Sequence, residues 1–405
     1  MNVAILSMHT SPLAQPGVGD GGGMNVYVRE LATALARAGV VCDVFTRSDR
    51  AGLAASVNVE PGFRVHHVCA GPVGPVPKEQ LVDLTAAFAD AVTARLASLD
   101  IQPDVIHANY WLSAVAGHRI KHVLDVPLVT TFHTLARVKS EGDDIEPEFR
   151  AQAEASVIGC SDIVLANTRV EADDLVRLYD ADPLRIEEVP LGVDHAFFSP
   201  GSRIGARAAL GLDPHDPVLL YVGRIQPLKG TELAIRSLAG SHHTSAKLLV
   251  VGGPSGTDGH VEVDRIHRLT HELGLHERVR FVAPQPHHLL SSYYRAADVC
   301  LVPSRSESFG LVALEAGACG TPVIASNVGG LQTIVDDAST GFLIDDRDPD
   351  TWSAHVDQLL EDRVLAESMA AAAAARSHRY AWSYTAARLR RLYTDLTVRS
   401  LVSCN

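Results

Sequence analysis

The feature that most restricts how this chain can fold is an alternation of short apolar runs with segments of helical periodicity, sustained over nearly all 405 residues. In the first half, NVAILSM, VCDVFT, FRVHHVCA, DVIHANY, PLVTTFH and DIVLANT read as strands. VYVRELATALARAGV, LVDLTAAFADAVTARLASL and RVEADDLVRLYD fall between them and carry apolar residues at helical spacing. In the second half, PVLLYVG, KLLVVGG, RVRFVAP, VCLVP and VIAS alternate with TELAIRSLAG, a helix ending at Leu273, HHLLSSYYRAAD and a helical stretch over 309–319. Runs that are apolar throughout suit strands covered on both faces, and strands joined by helices lie parallel. The pattern predicts an α/β protein of two Rossmann-like domains, residues 1–195 and 196–380, divided near VPLGVDHAFFSPG and followed by an amphipathic helix over about 381–405. Ligands of such sheets gather at the carboxyl ends of the strands.

Composition removes several function classes. A formal net charge of −13 argues against non-specific nucleic-acid binding. No apolar run approaches the ~18 residues of a membrane span. The N-terminus lacks a basic segment and reads as a strand, not a signal peptide. The six cysteines are scattered without a C-x-x-C, and most lie in apolar contexts as buried thiols do. That usage fits a reducing cytoplasm and suggests neither a zinc site nor a disulfide framework.

The strand ends carry the chemistry. After the first strand come His9 and a loop with Gly17, Gly19, Gly21, Gly22 and Gly23. Successive glycines let backbone N–H groups approach a phosphate at a helix N-terminus. GVGDGG also satisfies G-x-G-x-x-G, so a dinucleotide-dependent dehydrogenase has to be weighed. It fits poorly. The dinucleotide fingerprint turns directly off its strand, and it needs an acid after the second strand, where Arg47 stands. Tyr110, Trp111, His133 and Thr134 occupy other strand ends, while Lys78 lies in a Pro/Gly-rich loop and Arg150 opens a helix. Each has a plain structural explanation, a solvated lysine or a satisfied core histidine. Together they make a polar pocket with two cations, a hydroxyl and a phenol, which suits a phosphate.

In the second half, Arg224 and Lys229 follow a strand, five residues apart beside Gly230, placed to neutralise a diphosphate. The Walker A pattern is absent. The most telling stretch is 303–321, PSRSESFGLVALEAGACGT, a strand end, a polar loop and an apolar helix. Glu307 lies in the loop and Glu315 on the helix among alanines and a leucine, with no Lys or Arg one turn away. A buried, unpaired carboxylate costs several kcal/mol, roughly, so a ligand diol such as a ribose would satisfy it. The N–H groups of Phe309, Gly310 and Leu311 are available to an anion.

The E-x7-E spacing, together with GRIQPLKG, GGPSG, YRAAD and GTPVIASNVGG, resembles the retaining glycosyltransferases of family 4, which have the GT-B fold. SMHTSPLAQPGVGDGGGMNVYV, NYWLSAVAG, FHTLARVK and YDADPLRI are most similar to the D-inositol 3-phosphate glycosyltransferases of mycothiol biosynthesis. The resemblance implies two parallel sheets facing a central cleft, a C-terminal helix crossing back to the N-terminal domain, and domain closure over the substrates. It implies transfer of N-acetylglucosamine from UDP to inositol phosphate with retention, in a cytoplasmic homodimer. Donor contacts would come from Gln15, Pro16, Gly23, Arg224, Lys229, Glu307 and Glu315, with His133, Arg224, Lys229 and Glu307 at the chemistry. Acceptor contacts would come from His9, Asp20, Gly21, Gly22, Gly23, Met24, Asn25, Lys78, Tyr110, Thr134 and Arg150. No cofactor is required for the chemistry. A structural magnesium ion would map to Tyr294, Arg295, Ala297 and Thr321, partly through main-chain oxygens. Gln285 replaces an arginine common beside the uracil, and the loop between Lys139 and Arg150 is a few residues short. Two alternatives stay open: a family 4 transferase using GDP-mannose or UDP-glucose with a lipid or metabolite acceptor, and a GT-B-type sugar epimerase or nucleotide-binding protein.

Overall fold

The computed structural model describes residues 1–17, 19, 21–141, 146–255 and 259–404. Two compact units emerge. The first comprises Met1–Ala14, Met24–Pro190 and Trp382–Asn405, and the second Gln15–Gly23 and Leu191–Ala381.

The first unit carries one sheet, β1 (Asn2–Leu6), β2 (Val41–Arg47), β3 (Ser56–Glu60), β4 (Phe63–Val68), β5 (Val105–Asn109), β6 (Leu128–Thr131), β7 (Ile163–Ala166) and β8 (Ile186–Glu188). Their order is β3-β4-β2-β1-β5-β6-β7-β8, parallel throughout except for the antiparallel β3–β4 pair. Strand β5 is buried at every position, the mark of a strand covered by helices on both faces. The helix Trp382–Leu396 belongs to this unit, where the Tyr393 hydroxyl bonds His107 Nδ1 at 2.8 Å and the Thr385 hydroxyl donates to Pro190 O at 2.9 Å.

The second unit holds β9 (Val218–Val222), β10 (Lys247–Val251), β11 (Val279–Val282), β12 (Val299–Val302), β13 (Val323–Ser326) and β14 (Gly341–Ile344). Its order, β11-β10-β9-β12-β13-β14, is all parallel and has the doubly wound 3-2-1-4-5-6 connectivity. Such a sheet reverses direction between its first and fourth strands, here β9 and β12. In the first unit the reversal falls between β1 and β5. Those two switch points are where a ligand crevice opens.

Three strands escape the sequence pattern. β3 is an edge strand with a register shift near Asn58 and only partial burial, so no apolar run announces it. β8 is three residues long and never fully buried. β14 begins at Gly341, where a Cβ would meet Val323 O at 2.2 Å, so close backbone approach rather than composition defines it. The segment expected as one helix from Leu81 onward begins as a 3-10 turn, Lys78–Leu84, and becomes α-helical only over Thr85–Ser98. The expectation of scattered thiols holds for buried Cys42, Cys300 and Cys319 and exposed Cys69, but it is corrected for Cys160 and Cys404, which the structure joins as a disulfide. Their 244-residue separation hides that pairing from any spacing rule.

Candidate active site

In the first unit the residues at the switch point converge on Tyr110. It follows β5 and starts the helix Trp111–Leu124 with φ 73° and ψ 153°, a backbone region open essentially only to glycine. The strain, of order 1–3 kcal/mol, is held in place by what surrounds the ring. The His9 ring lies 4.6 Å from the Tyr110 ring, Lys78 Nζ 4.6 Å from its centroid and the Arg150 guanidinium carbon 5.2 Å. A π face flanked by two cations is favourable, worth ~0.5–2 kcal/mol per contact depending on desolvation. Arg150 also donates to Thr134 O at 3.0 Å and Thr134 Oγ1 at 3.1 Å. Thus His9, Lys78, Tyr110, Thr134 and Arg150 form one cluster.

Arg150 is buried and its charge is compensated. Its Nε donates to Glu154 at 2.8 Å, and an Nη pairs with Glu146 at 2.9 Å. Glu154, fully buried, also accepts from Ala136 N at 2.9 Å and from the Tyr179 hydroxyl. It fixes the guanidinium plane. Glu146 pairs with Lys139 as well as Arg150. Burial pushes the Glu146 carboxyl up, but Lys139 and Arg150 outweigh it and hold it below the usual range. Neither glutamate was singled out by sequence. Glu154, four residues beyond Arg150 on the helix Glu148–Cys160, carries a spacing signal, since residues i and i+4 share a helix face; Glu146 lies before that helix and carries none.

His133 follows β6 at φ 62°, and its Nε2 lies 3.0 Å from Asn109 Oδ1. A carbonyl oxygen accepts, so Nε2 carries the proton and Nδ1 is the acceptor side. Burial, reinforced by His107, lowers the His133 pKa to about 3. The imidazole is therefore neutral at physiological pH. Asn109 Nδ2 is buried without a partner among the described residues, a further polar group at this strand end that sequence reading passed over. Asn25 is buried and donates to Thr10 Oγ1 and Ser11 O, both at 2.6 Å, while Met24 packs on the first unit's core.

The glycine loop falls with the second unit. Gln15 Nε2 donates to Pro284 O at 2.8 Å, Gly17 N donates to Gly21 O at 2.9 Å, and a Cβ on Gly22 would lie 3.6 Å from Arg224 Nε. Gly21, Gly22 and Gly23, expected around the acceptor, are therefore grouped with the arginine expected on the donor. Gly23 opens the helix Gly23–Arg37 and is exposed, and Pro16 is half-buried. Asp20 lies outside the described residues.

At the second unit's switch point, β9 leads to Arg224 and Lys229, and β12 leads to Glu307. Lys229 Nζ donates to Glu307 Oε2 at 2.6 Å, and Arg224 donates to Ser255 Oγ at 3.1 Å. Gly230, at φ 70°, permits this approach, since a Cβ there would meet Pro303 O at 2.0 Å. Glu315 is 2% exposed on the helix Leu311–Ala318. The expectation that it lacks a protein partner nearby, leaving a ligand diol to satisfy it, is corrected by the structure. His287 Nε2 lies 2.5 Å from one carboxylate oxygen, and the Tyr294 hydroxyl donates to the other at 2.8 Å. Both partners come from the segment before β12, well outside one helical turn. A carboxylate has about four lone-pair sites, so acceptor capacity remains. Gln285 donates to Ala283 O at 2.8 Å.

Of the four residues assigned to a metal ion, two converge. Thr321 Oγ1 donates to Tyr294 O at 2.6 Å. Arg295 turns its guanidinium to Phe197 O and Ser199 O, and the Ala297 N–H bonds the Tyr293 and Tyr294 carbonyls. The oxygens are neutral, and Tyr294 O already accepts from Thr321 Oγ1 and from the Ala297 N–H, so this pair by itself is a poor fit to a magnesium ion.

The chain is similar in sequence and fold to known proteins. The model for glycosyl transferases group 1 matches residues 203–376, and that for glycosyltransferase family 4 matches residues 21–197. A D-inositol 3-phosphate glycosyltransferase of Corynebacterium jeikeium is 43% identical over 98% of this chain and 97% of that one. One from Mycobacterium sp. (strain KMS) is 48% identical over 88% of this chain and 82% of its own. Among solved structures, a sucrose-phosphate synthase from Thermosynechococcus elongatus superposes with TM-score 0.92 at 34% identity, covering 98% of both chains. HepE of Anabaena, solved with UDP and glucose, has TM-score 0.79 at 20% identity over 98% of this chain and 100% of its own, and shows the shared fold alone. With two parallel-sheet α/β units, the residue clusters at both switch points and this extent of identity, the chain is a GT-B glycosyltransferase and belongs to the family of the D-inositol 3-phosphate glycosyltransferases.

Proposed function

We propose that this enzyme transfers N-acetylglucosamine from UDP-N-acetylglucosamine to 1D-myo-inositol 3-phosphate with retention, the first step of mycothiol biosynthesis. The observation that carries the reading is the Tyr110 cluster, in a chain 41–48% identical to relatives named for that acceptor. Lys78, Arg150 and the Thr134 hydroxyl supply charged and neutral donors to a phosphate, and Tyr110 fixes their spacing. Arg224 and Lys229 neutralise charge developing on the leaving diphosphate. Glu307, oriented by Lys229, accepts from hydroxyls of the transferred sugar, and Glu315 uses its remaining lone pairs for the ribose. The neutral His133 contacts that sugar through hydrogen bonds and is not an imidazolium at physiological pH.

Front-face attack with retention needs no covalent intermediate, and the carboxylates at the two switch points are otherwise engaged. Glu154, Glu307 and Glu315 are each bonded to a cation or a buried donor, which makes them poor nucleophiles. The acceptor hydroxyl oxygen therefore bonds the anomeric carbon on the face from which the phosphate oxygen departs. The hydroxyl proton passes to that phosphate oxygen. Tyr294 O and Thr321 Oγ1 would give a magnesium ion a structural part at most, with no role in the transfer. A homodimer in the cytoplasm belongs to this reading through the family resemblance. Among the described residues no helix is long and apolar enough to cross a membrane.

A second reading, a different phosphorylated acceptor, is favoured by the 34% identity to a sucrose-phosphate synthase. One screen separates the two: release of nucleoside diphosphate from UDP-N-acetylglucosamine, UDP-glucose and GDP-mannose, each with and without inositol 3-phosphate. Turnover with UDP-N-acetylglucosamine and inositol 3-phosphate alone is expected. Equal turnover with another donor, or with another sugar phosphate, would sink the assignment.

A further inference from the structure

Elsewhere on the first unit, four metal-ligating side chains meet. His118 and His122 sit one turn apart on the helix Trp111–Leu124, their ring centroids 5.0 Å apart. Cys160 ends the helix Glu148–Cys160, and Cys404 comes from the irregular tail beyond the helix Trp382–Leu396. Their ligand atoms all lie within 4.8 Å of one another, and His122 Nε2 is 3.1 Å from Cys404 Sγ. We propose that, with both thiols reduced, His118, His122, Cys160 and Cys404 bind one zinc-type divalent cation that pins the C-terminal tail to the first unit.

The donor set has the composition of a closed structural zinc site, two thiolates and two imidazoles. Tetrahedral bonds of about 2.3 Å to sulfur and 2.0–2.1 Å to nitrogen place ligand atoms about 3.3–3.8 Å apart, within reach of the convergence seen here. Two thiolates cancel the charge of a dication, so the partly buried centre is neutral. Two helix ends add to this. His122 lies in the last turn of its helix and Cys160 at the end of its own, where main-chain carbonyls favour a cation.

The surroundings hold both cysteine segments in place without an ion. Lys121, buried beside His122, donates to Cys160 O at 2.8 Å and pairs with Asp162 at 2.8 Å. Asp162 also accepts from Val402 N at 2.7 Å, which ties the tail two residues before Cys404. In the structure the two cysteines are joined as a disulfide, whose reduction frees both sulfurs in place; the disulfide by itself gives no reason for two histidines at i and i+4 to aim at the same point. Binding releases the two thiol protons, one from each cysteine, and involves no oxidation.

The test uses the full-length chain, reduced, stripped with a chelator and titrated with Zn2+. Retained zinc is measured by mass spectrometry of the metal, and thiol exposure by a colorimetric reagent. We expect about one zinc per chain, with two thiols masked until the chelator is added. Cys404→Ser and His122→Ala should each lose the ion, while Cys404→Ser, a change in the tail, keeps full transferase activity. Cobalt in place of zinc should give a thiolate charge-transfer band that Cys404→Ser abolishes. Zinc retained equally by both variants, no zinc retained by the reduced chain, or a Cys160–Cys404 disulfide that survives reduction would each overturn the proposal.

Discussion

The two units share a topological device and use it for opposite chemistry. In each, the sheet reverses direction beside its first strand, and polar residues collect where it does. In the first unit the organising group is a cation. Arg150 is held by two glutamates and by the face of Tyr110, so a positive charge is presented with its own counter-charges nearby. In the second unit the organising groups are carboxylates. Glu307 is held by Lys229, and Glu315 by a histidine and a phenol. The fold decides where a ligand goes. Which ligand is decided by the group left with bonding capacity once the protein's own pairs are formed.

The comparison can be broken most severely at the cations of the second unit. Lys229→Ala or Arg224→Ala should lower kcat/KM by about 10^2- to 10^3-fold, as loss of a donor to developing charge does, with the acceptor KM nearly unchanged. Steady-state kinetics with both substrates varied would check this, and an equal rise in both KM values would remove the leaving-group role. In the first unit, Lys78→Ala should raise the acceptor KM by about 10- to 100-fold, the worth of one charge-assisted hydrogen bond, while the donor KM stays within about twofold. Effects of similar size on both substrates would count against a phosphate pocket there. Glu315→Gln should weaken UDP binding by about tenfold in calorimetry. Unchanged affinity would mean that His287 and Tyr294 fully occupy the carboxylate.

Acid should separate the units by stability. His107 and His133, both in the first unit, have folded pKa values lowered by burial to about 3, from a usual 6.5. A depressed folded value means that the unfolded chain takes up the proton first. Stability is intact above pH 6.5 and falls as pH drops toward 3, by about 1.4 kcal/mol per pH unit for each histidine. Urea midpoints at pH 7.5 and 5.5 would measure it; a midpoint independent of pH would mean that these imidazoles are not buried and neutral. The smallest effect sharpens the comparison. Glu146→Gln removes one counter-charge from Arg150 and should lower the acceptor KM two- to fivefold, roughly, the reach of a partly exposed ion pair. A raised KM would make Glu146 part of the binding surface.

Much of this arrangement was legible beforehand because it is local. The strand and helix rhythm, the loop-to-helix turn at Glu307 and Glu315, and the cations at strand ends all follow from side chains at short, regular spacings. Glu315 shows the limit. Its isolation among apolar neighbours correctly marked a buried acid, yet its partners His287 and Tyr294 lie on another segment that only packing brings near. The same holds for the strained backbone of Tyr110, since nothing in HANYW states that a tyrosine will occupy glycine's region.

Sequence alone thus determined the order of elements, the parallel sheets, the family and the residue types at the two switch points, because periodicity and motif spacing act over a few residues. Tertiary structure alone decided which charges are neutralised, that the glycine loop groups with Arg224 and Pro284, and that Cys404 reaches His118, His122 and Cys160. Those outcomes depend on contacts between segments hundreds of residues apart, where chain closure and packing, not local spacing, choose the partner.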